Sequence, residues 1–209
     1  EAFAATLQRL GVNTRSQVVV LDRAGIMFSG RLWWMLKWCG HEAVAVLDGG
    51  LNAWQAAGGA VDSGPAPAVP AGDFQLRPAA ATALTTADVQ ALLGRPDRTL
   101  VDARAAARFR GETEPLDPVA GHIPGALNRP FSDNLLPDGR FKPAEELRAE
   151  FDRLLAGRDP AGVVHQCGSG VSAVPNLLAM EVAGLGRAAL YPGSWSEWCN
   201  TPGLPTAQG

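Results

Sequence analysis

Two stretches of the chain repeat one another at a nearly fixed offset, and an internal repeat limits the possible architectures more than any local pattern does. Asp22 falls on Cys167, Gly25 on Gly170, Leu32 on Leu177 and Met35 on Met180 at an offset of 145, while Gly49 falls on Gly193 and Trp54 on Trp198 at 144. In each stretch a short apolar run leads through a glycine-containing turn into an apolar helix pattern. The first stretch reads as strand Val18–Leu21, helix Met27–Trp38, strand Val44–Leu47 and, after Asp48-Gly49-Gly50, a short helix through Trp54. Strands alternating with helices imply an α/β fold with a parallel sheet flanked by helices.

Other elements follow from spacing and caps. Phe3, Leu7 and Leu10 share a helical face that Gly11 closes. Thr85 and Thr86 offer an N-cap for a helix to Leu93, and Thr99-Leu100-Val101 is a strand. Glu145–Leu155 sets Leu147, Phe151, Leu154 and Leu155 on the buried side of a helix, and Pro175 fits only the first turn of the helix that runs to Val182.

The second stretch carries a cysteine at its turn. Val163 to Gln166 is the strand, Cys167-Gly168-Ser169-Gly170-Val171-Ser172 the loop, and the helix follows from Ala173. Gly168 and Gly170 let successive N–H groups point into one concavity, to which the helix adds its unpaired amides and positive dipole end. Such a nest favours the thiolate of Cys167, lowering its pKa below the free value of about 8.5 and making the sulfur a nucleophile near neutral pH. The plain alternative is an inert buried cysteine at a strand end.

Composition narrows the class of chemistry. A net charge of −3 over 209 residues gives no nucleic-acid footprint, and no apolar stretch approaches the roughly 20 residues of a membrane-spanning helix. The three cysteines argue against a disulfide framework and suit a reducing, cytoplasmic setting in which a thiol stays free. Because the chain begins at Glu1 and not at Met, a removed targeting segment stays open. No CxxC pair or histidine cluster suggests a metal, and no cofactor is implied.

Four motifs in order, Asp102-Ala103-Arg104 with Arg108-Phe109, Gly121-His122-Ile123-Pro124-Gly125-Ala126, the Cys167 to Ala173 loop, and Tyr191-Pro192-Gly193-Ser194-Trp195-Ser196-Glu197-Trp198, resemble a catalytic domain of the rhodanese superfamily in its mercaptopyruvate sulfurtransferase form. The resemblance implies a rhodanese-like sheet and sulfur transfer through a persulfide on Cys167. The donor is then a small molecule, 3-mercaptopyruvate being favoured and thiosulfate the alternative. The acceptor is a thiol such as thioredoxin, or cyanide. It further implies that Arg108 pairs with the donor carboxylate, that Gly168, Ser169, Gly170, Val171 and Ser172 cradle the sulfur, and that Ser169 belongs to a proton relay. The family's second carboxylate-binding arginine is absent; Asp117 stands there instead. Thiosulfate-preferring relatives place Arg or Lys in the loop, whereas Gly168 to Ser172 holds no cation.

The repeat then divides the chain into a partial, degenerate domain at 1–61, a Pro- and Ala-rich linker at 62–83 and a catalytic domain at 84–209. The first copy would begin roughly sixty positions before Glu1. An absent segment or a second chain is therefore expected to complete it, with Val18–Leu21 at a bare edge and Trp33 and Trp34 short of cover. Its Asp22 cannot act as a sulfur nucleophile.

The remaining candidates have structural readings. Arg104 reads as an ion-pair partner and Arg110 as a solvated charge, and the plain alternative for Ser169 and Ser172 is that both are small turn residues. His122 reads as a backbone-bonded imidazole, and His165 as a core histidine more than a general base. Trp195 and Trp198 form the wall of the site's mouth, while Cys39 and Cys199 are incidental. A phosphatase of related loop design needs an arginine at the loop's end, where this chain has Ala173. A non-catalytic sulfur-carrier or interaction module is the alternative of another class.

Overall fold

In the computed structural model, which describes residues 1–209, the apolar runs pair as parallel strands in two separate sheets. The chain divides into units Glu1–Ala81 and Thr82–Gly209.

The first unit runs α1 (Ala2–Arg9), β1 (Val18–Val20), α2 (Met27–Trp38), β2 (Val44–Val46) and α3 (Gly50–Ala56). Its sheet consists of β1 and β2, with Val18 opposite Val44 and Val20 opposite Val46, so β1 has a strand on one side only. Both oxygens of Asp22 are engaged by the entrance to α2. Oδ1 accepts from the amides of Ala24 (3.0 Å) and Ile26 (3.1 Å), and Oδ2 from those of Phe28 (2.9 Å) and Ser29 (2.8 Å). Burial alone would raise the pKa of this carboxyl, but the hydrogen bonds from Ser29, Ala24 and Ile26 outweigh it and hold the group below its ordinary 3.8.

Trp33 and Trp34 depart from expectation, since both are buried. Trp34 stacks on Trp38 one turn later, with centroids 5.9 Å apart, and carries the Arg31 guanidinium 5.1 Å from its ring. The ammonium of buried Lys37 lies 5.9 Å from the Trp33 ring and pairs with Glu42 at 2.7 Å. Neighbouring long side chains thus cover the indoles, and exposure falls instead on Phe28, Leu32 and Trp38. The Pro- and Ala-rich stretch after α3 has no regular structure, yet its last third is tied to the unit. Gly72 donates to Gln8 O, Phe74 to Val12 O, Arg77 to Cys39 O and Ala80 to Lys37 O, and Phe74 is buried beside His41.

The second unit runs α4 (Thr86–Leu92), β3 (Thr99–Asp102), α5 (Ala106–Phe109), β4 (Leu127–Asn128), α6 (Ala144–Leu155), β5 (Val163–Gln166), α7 (Val174–Val182), β6 (Ala189–Leu190) and α8 (Ser194–Asn200). Thr85 caps α4 in a reciprocal box with Asp88. The parallel sheet has the order β4-β3-β5-β6. Both central strands are buried along their whole length, as expected of parallel strands covered on two faces. Leu100 and Val164 face Val89 of α4 and Trp195 and Trp198 of α8. On the opposite face His165 meets Phe151 of α6 edge-on and Met180 of α7. Register Asp102↔Gln166 brings the carboxyl ends of β3 and β5 side by side, so the segments after them meet at one end of the sheet, where open α/β folds place their sites.

Asp22 supplies the test of this architecture. Asp22→Ala orphans four amides and should lower unfolding stability by about 1–3 kcal/mol at pH 7. The wild-type contribution is fully present above pH 3.8 and is lost as pH falls through the lower folded-state value, so the gap between the proteins should close in acid. Urea unfolding followed by tryptophan fluorescence at a series of pH values measures both.

Candidate active site

Cys167 follows the last residue of β5 and is 1% exposed, while Ser169 at the crest of the loop is open to solvent. The loop is fixed from below by α8. Trp195 N donates to Cys167 O at 3.0 Å and Ser196 N to Gly168 O at 2.9 Å. Cys167 N donates to Ser194 Oγ at 3.1 Å, and that hydroxyl donates to Tyr191 O at 2.9 Å and lies 4.0 Å from Cys167 Sγ. α8 thus takes the carbonyls of Cys167 and Gly168. The amides of Ser169, Val171 and Ser172 are not taken by any backbone carbonyl, and α7 begins two residues later with Pro175 in its first turn. Amides of this kind at a helix entrance are the donors that an anion-favouring nest requires.

Gly170 holds φ +73°, and a β-carbon there would collide with Pro192 O. Gly168 differs, because a β-carbon on it would meet only the Arg108 guanidinium, Nη1 at 3.5 Å and Nη2 at 3.9 Å. Those distances also place Arg108: its guanidinium lies against the cysteine loop. Arg108 is not free, however. Nη2 is 2.6 Å from Glu114 Oε1 and 3.4 Å from Asp117 Oδ2, and Nε is 3.3 Å from Glu114 Oε2. Burial pushes the Glu114 carboxyl up, but Arg108 and the amides of Leu116 and Asp117 pull it further down, so it stays below its ordinary 4.5.

Arg104 binds Asp102 through Nε (3.1 Å) and Nη2 (2.7 Å), donates to Gly121 O at 2.7 Å, and sits 4.8 Å from the Trp195 ring. Its role is structural, and Arg110 pairs with Glu112 at the surface. His122 Nδ1 is 2.8 Å from Phe109 O, with its ring stacked on Phe109. His165 has Nε2 3.1 Å from Met180 Sδ, and burial, aided by Arg129, pushes its pKa down to about 3. It is therefore neutral at physiological pH and sits in the core, away from the nest. Trp195 and Trp198 are fully buried and donate to Val119 O and Pro205 O, so they pack the support of the site and do not line an open mouth.

Sequence reasoning missed two residues here and the contact of a third. Glu114 reaches Arg108 across a turn that spacing does not reveal, and Asp117, noted only for standing where the family has its second arginine, reaches the same guanidinium. Ser194 adopts φ +56°, which is uncommon for a residue with a side chain, in order to put its hydroxyl under Cys167. A signal for it did exist: at the offset of 144 Ser194 falls on Gly50, which has φ +57°. A glycine in one copy marks the left-handed position in both.

The two loop glycines give a contrast that calorimetry or chemical denaturation can read. Gly170→Ala forces an unfavourable φ and a backbone clash and should cost about 2–4 kcal/mol, whereas Gly168→Ala, in ordinary contact, should cost less than about 1 kcal/mol.

Comparison with known proteins agrees with this geometry. The family model of the rhodanese-like domain matches residues 1–57 and 85–201. A Pseudomonas aeruginosa protein named "Probable 3-mercaptopyruvate sulfurtransferase" is 50% identical over 208 residues, covering 99% of this chain and 73% of that protein. The crystal structure of SseA from Escherichia coli, a 3-mercaptopyruvate sulfotransferase of "Rhodanese" fold, superposes with a TM-score of 0.80 at 36% identity, covering 94% of this chain and 73% of SseA. The structure of EanB with hercynine shares the fold, with a TM-score of 0.86 at 23% identity, and this chain spans 54% of its length. With the family's sequence pattern matched over most of its length, and a relative 50% identical across nearly all of it, the chain belongs to the rhodanese-like domain family.

Proposed function

We propose that the protein is a sulfurtransferase that moves sulfur from a small thiol-bearing 2-oxo acid, 3-mercaptopyruvate, to a thiol acceptor or cyanide by way of Cys167. The observation that carries this reading is the succession of Cys167, the amides of Ser169, Val171 and Ser172 that no backbone carbonyl takes, and the Arg108 guanidinium beside Gly168. Relatives named for the activity support the class.

In the first half-reaction the Cys167 thiolate attacks the donor sulfur. The new S–S bond forms as the C–S bond breaks, and the released electron pair passes into the enolate of pyruvate. That enolate takes the proton which the donor sulfur brought, leaving an anionic persulfide on Cys167. Amides of Gly168 to Ser172 stabilise the outer sulfur's charge, and Arg108 holds the donor carboxylate during the displacement. In the second half-reaction the acceptor's thiolate, or cyanide, attacks the outer sulfur, and Cys167 leaves as thiolate.

Charge sorts the donors. Thiosulfate carries two negative charges, and the loop from Gly168 to Ser172 has no cation to neutralise the second. A monoanionic donor is therefore preferred, with thiosulfate a slower substrate of the same site. The first unit, with Asp22 at the cysteine position, is the degenerate copy and carries no sulfur.

Intact-mass measurement after donor treatment should show one added sulfur on the wild type and none on Cys167→Ser, which should keep the fold and lose turnover. An unchanged wild-type mass, or turnover in the serine variant, would exclude the mechanism. Steady-state rates should show a higher kcat/KM for 3-mercaptopyruvate than for thiosulfate. Arg108→Ala should raise KM for the carboxylate donor by roughly ten- to a hundred-fold, with a smaller change in kcat.

A further inference from the structure

The arginine beside the cysteine loop is engaged by two carboxylates of unequal grip. Glu114 is locked in place. Its Oε1 takes Arg108 Nη2 at 2.6 Å and the amides of Leu116 (3.1 Å) and Asp117 (3.2 Å), and its Oε2 faces Arg108 Nε at 3.3 Å and Arg104 Nη1 at 3.4 Å. Asp117 has a single contact to the same guanidinium, Oδ2 to Nη2 at 3.4 Å, beyond the usual length of a charge-assisted hydrogen bond. Yet its side chain is only 8% exposed, so its charge acts in a partly dehydrated setting where it is weakly screened. Counting the ion-paired cluster, Arg104 and Arg108 face Asp102, Glu114 and Asp117, which leaves one negative charge in excess beside the loop.

We infer that Asp117 is a specificity-determining residue: its carboxylate stands in for a substrate carboxylate at Arg108 and is the one that yields when an anionic donor arrives. The inference rests on Arg108 being the donor-binding cation. Because the contact is loose, exchange does not dismantle the site, since Glu114 keeps Arg108 in position. Because the charge is retained nearby, every anion that enters meets repulsion in proportion to its own charge. Asp117 therefore raises KM for a monoanion and raises it more for a dianion, so it separates carboxylate donors from thiosulfate without contributing to the chemical step. The loop lacks an attractive element for dianions, and Asp117 adds a repulsive one.

Asp117→Asn tests this, with Asp117→Glu as the charge-preserving control. The asparagine variant should lower KM for 3-mercaptopyruvate by about three- to thirty-fold with kcat within about two-fold. It should lower KM for thiosulfate by a larger factor, so that the preference between donors shrinks; the glutamate variant, which keeps the charge, should keep the preference between donors. Pyruvate binding, followed by calorimetry, gives a readout that needs no turnover. The asparagine variant should bind this monocarboxylate about three- to thirty-fold more tightly than wild type. Equal or weaker pyruvate binding in an asparagine variant of unchanged thermal stability would overturn the inference, as would equal KM changes for the two donors. Tighter pyruvate binding without any sulfur loading of wild-type Cys167 would uphold it while rejecting the sulfurtransferase reading.

Discussion

One buried guanidinium holds the site's parts together. Arg104 is anchored bidentately to Asp102 at the end of β3, donates to Gly121 O, reaches Glu114 at 3.4 Å and lies over Trp195 of α8. The end of β3, the turn at Glu114, the loop at Gly121 and the distant α8 therefore converge on a side chain that is 1% exposed. Removing either partner of such a pair strands a charge in the interior, at a cost of about 3–5 kcal/mol, whereas the intact pair adds little net stability. Its value is positional. Glu114, which clasps Arg108, and Trp195, whose amide holds Cys167 O, both take their places against Arg104.

The two units show the same local device with different occupants. Leu51 N donates to Asp22 O as Trp195 N donates to Cys167 O, and Leu47 N to Val20 O as Tyr191 N to His165 O. In the first unit the amides at the helix entrance close on the oxygens of Asp22, an anion built into the chain. In the second unit the corresponding residue is a cysteine, which has no carboxylate oxygens; no backbone carbonyl takes the amides of Ser169 and Val171, the counterparts of Ala24 and Ile26, while Val174, the counterpart of Ser29, donates to Val171 O. A change of one residue type removes the carboxylate that satisfies the helix entrance in the first unit.

Much of this was legible in residue order. The limits of α2 coincide with the apolar run Met27–Trp38, and α6 and α7 begin within a residue of their expected starts. Local periodicity and caps decide such elements. β4 and β6 are two residues each, too short to leave a pattern, and exist because β3 and β5 offer edges to pair with. The cover over Trp33 and Trp34 comes from Arg31, Lys37 and Trp38, long side chains whose snorkelling no hydropathy pattern records. Cys167 and its glycines were readable because loop chemistry is local. The Glu114 and Asp117 clasp was not, because ion pairs are set by the tertiary path of the chain.

Burial of the cysteine has a consequence for how the three thiols meet reagents in bulk solvent. Cys167 is 1% exposed, and Gly170 beside it is pressed against Pro192 O, so the loop has no room to retreat on that side. Cys39 is buried as well, whereas Cys199 is partly exposed. In the folded chain an indiscriminate alkylating or oxidising agent therefore finds Cys199 first, and protection of Cys167 is a matter of access.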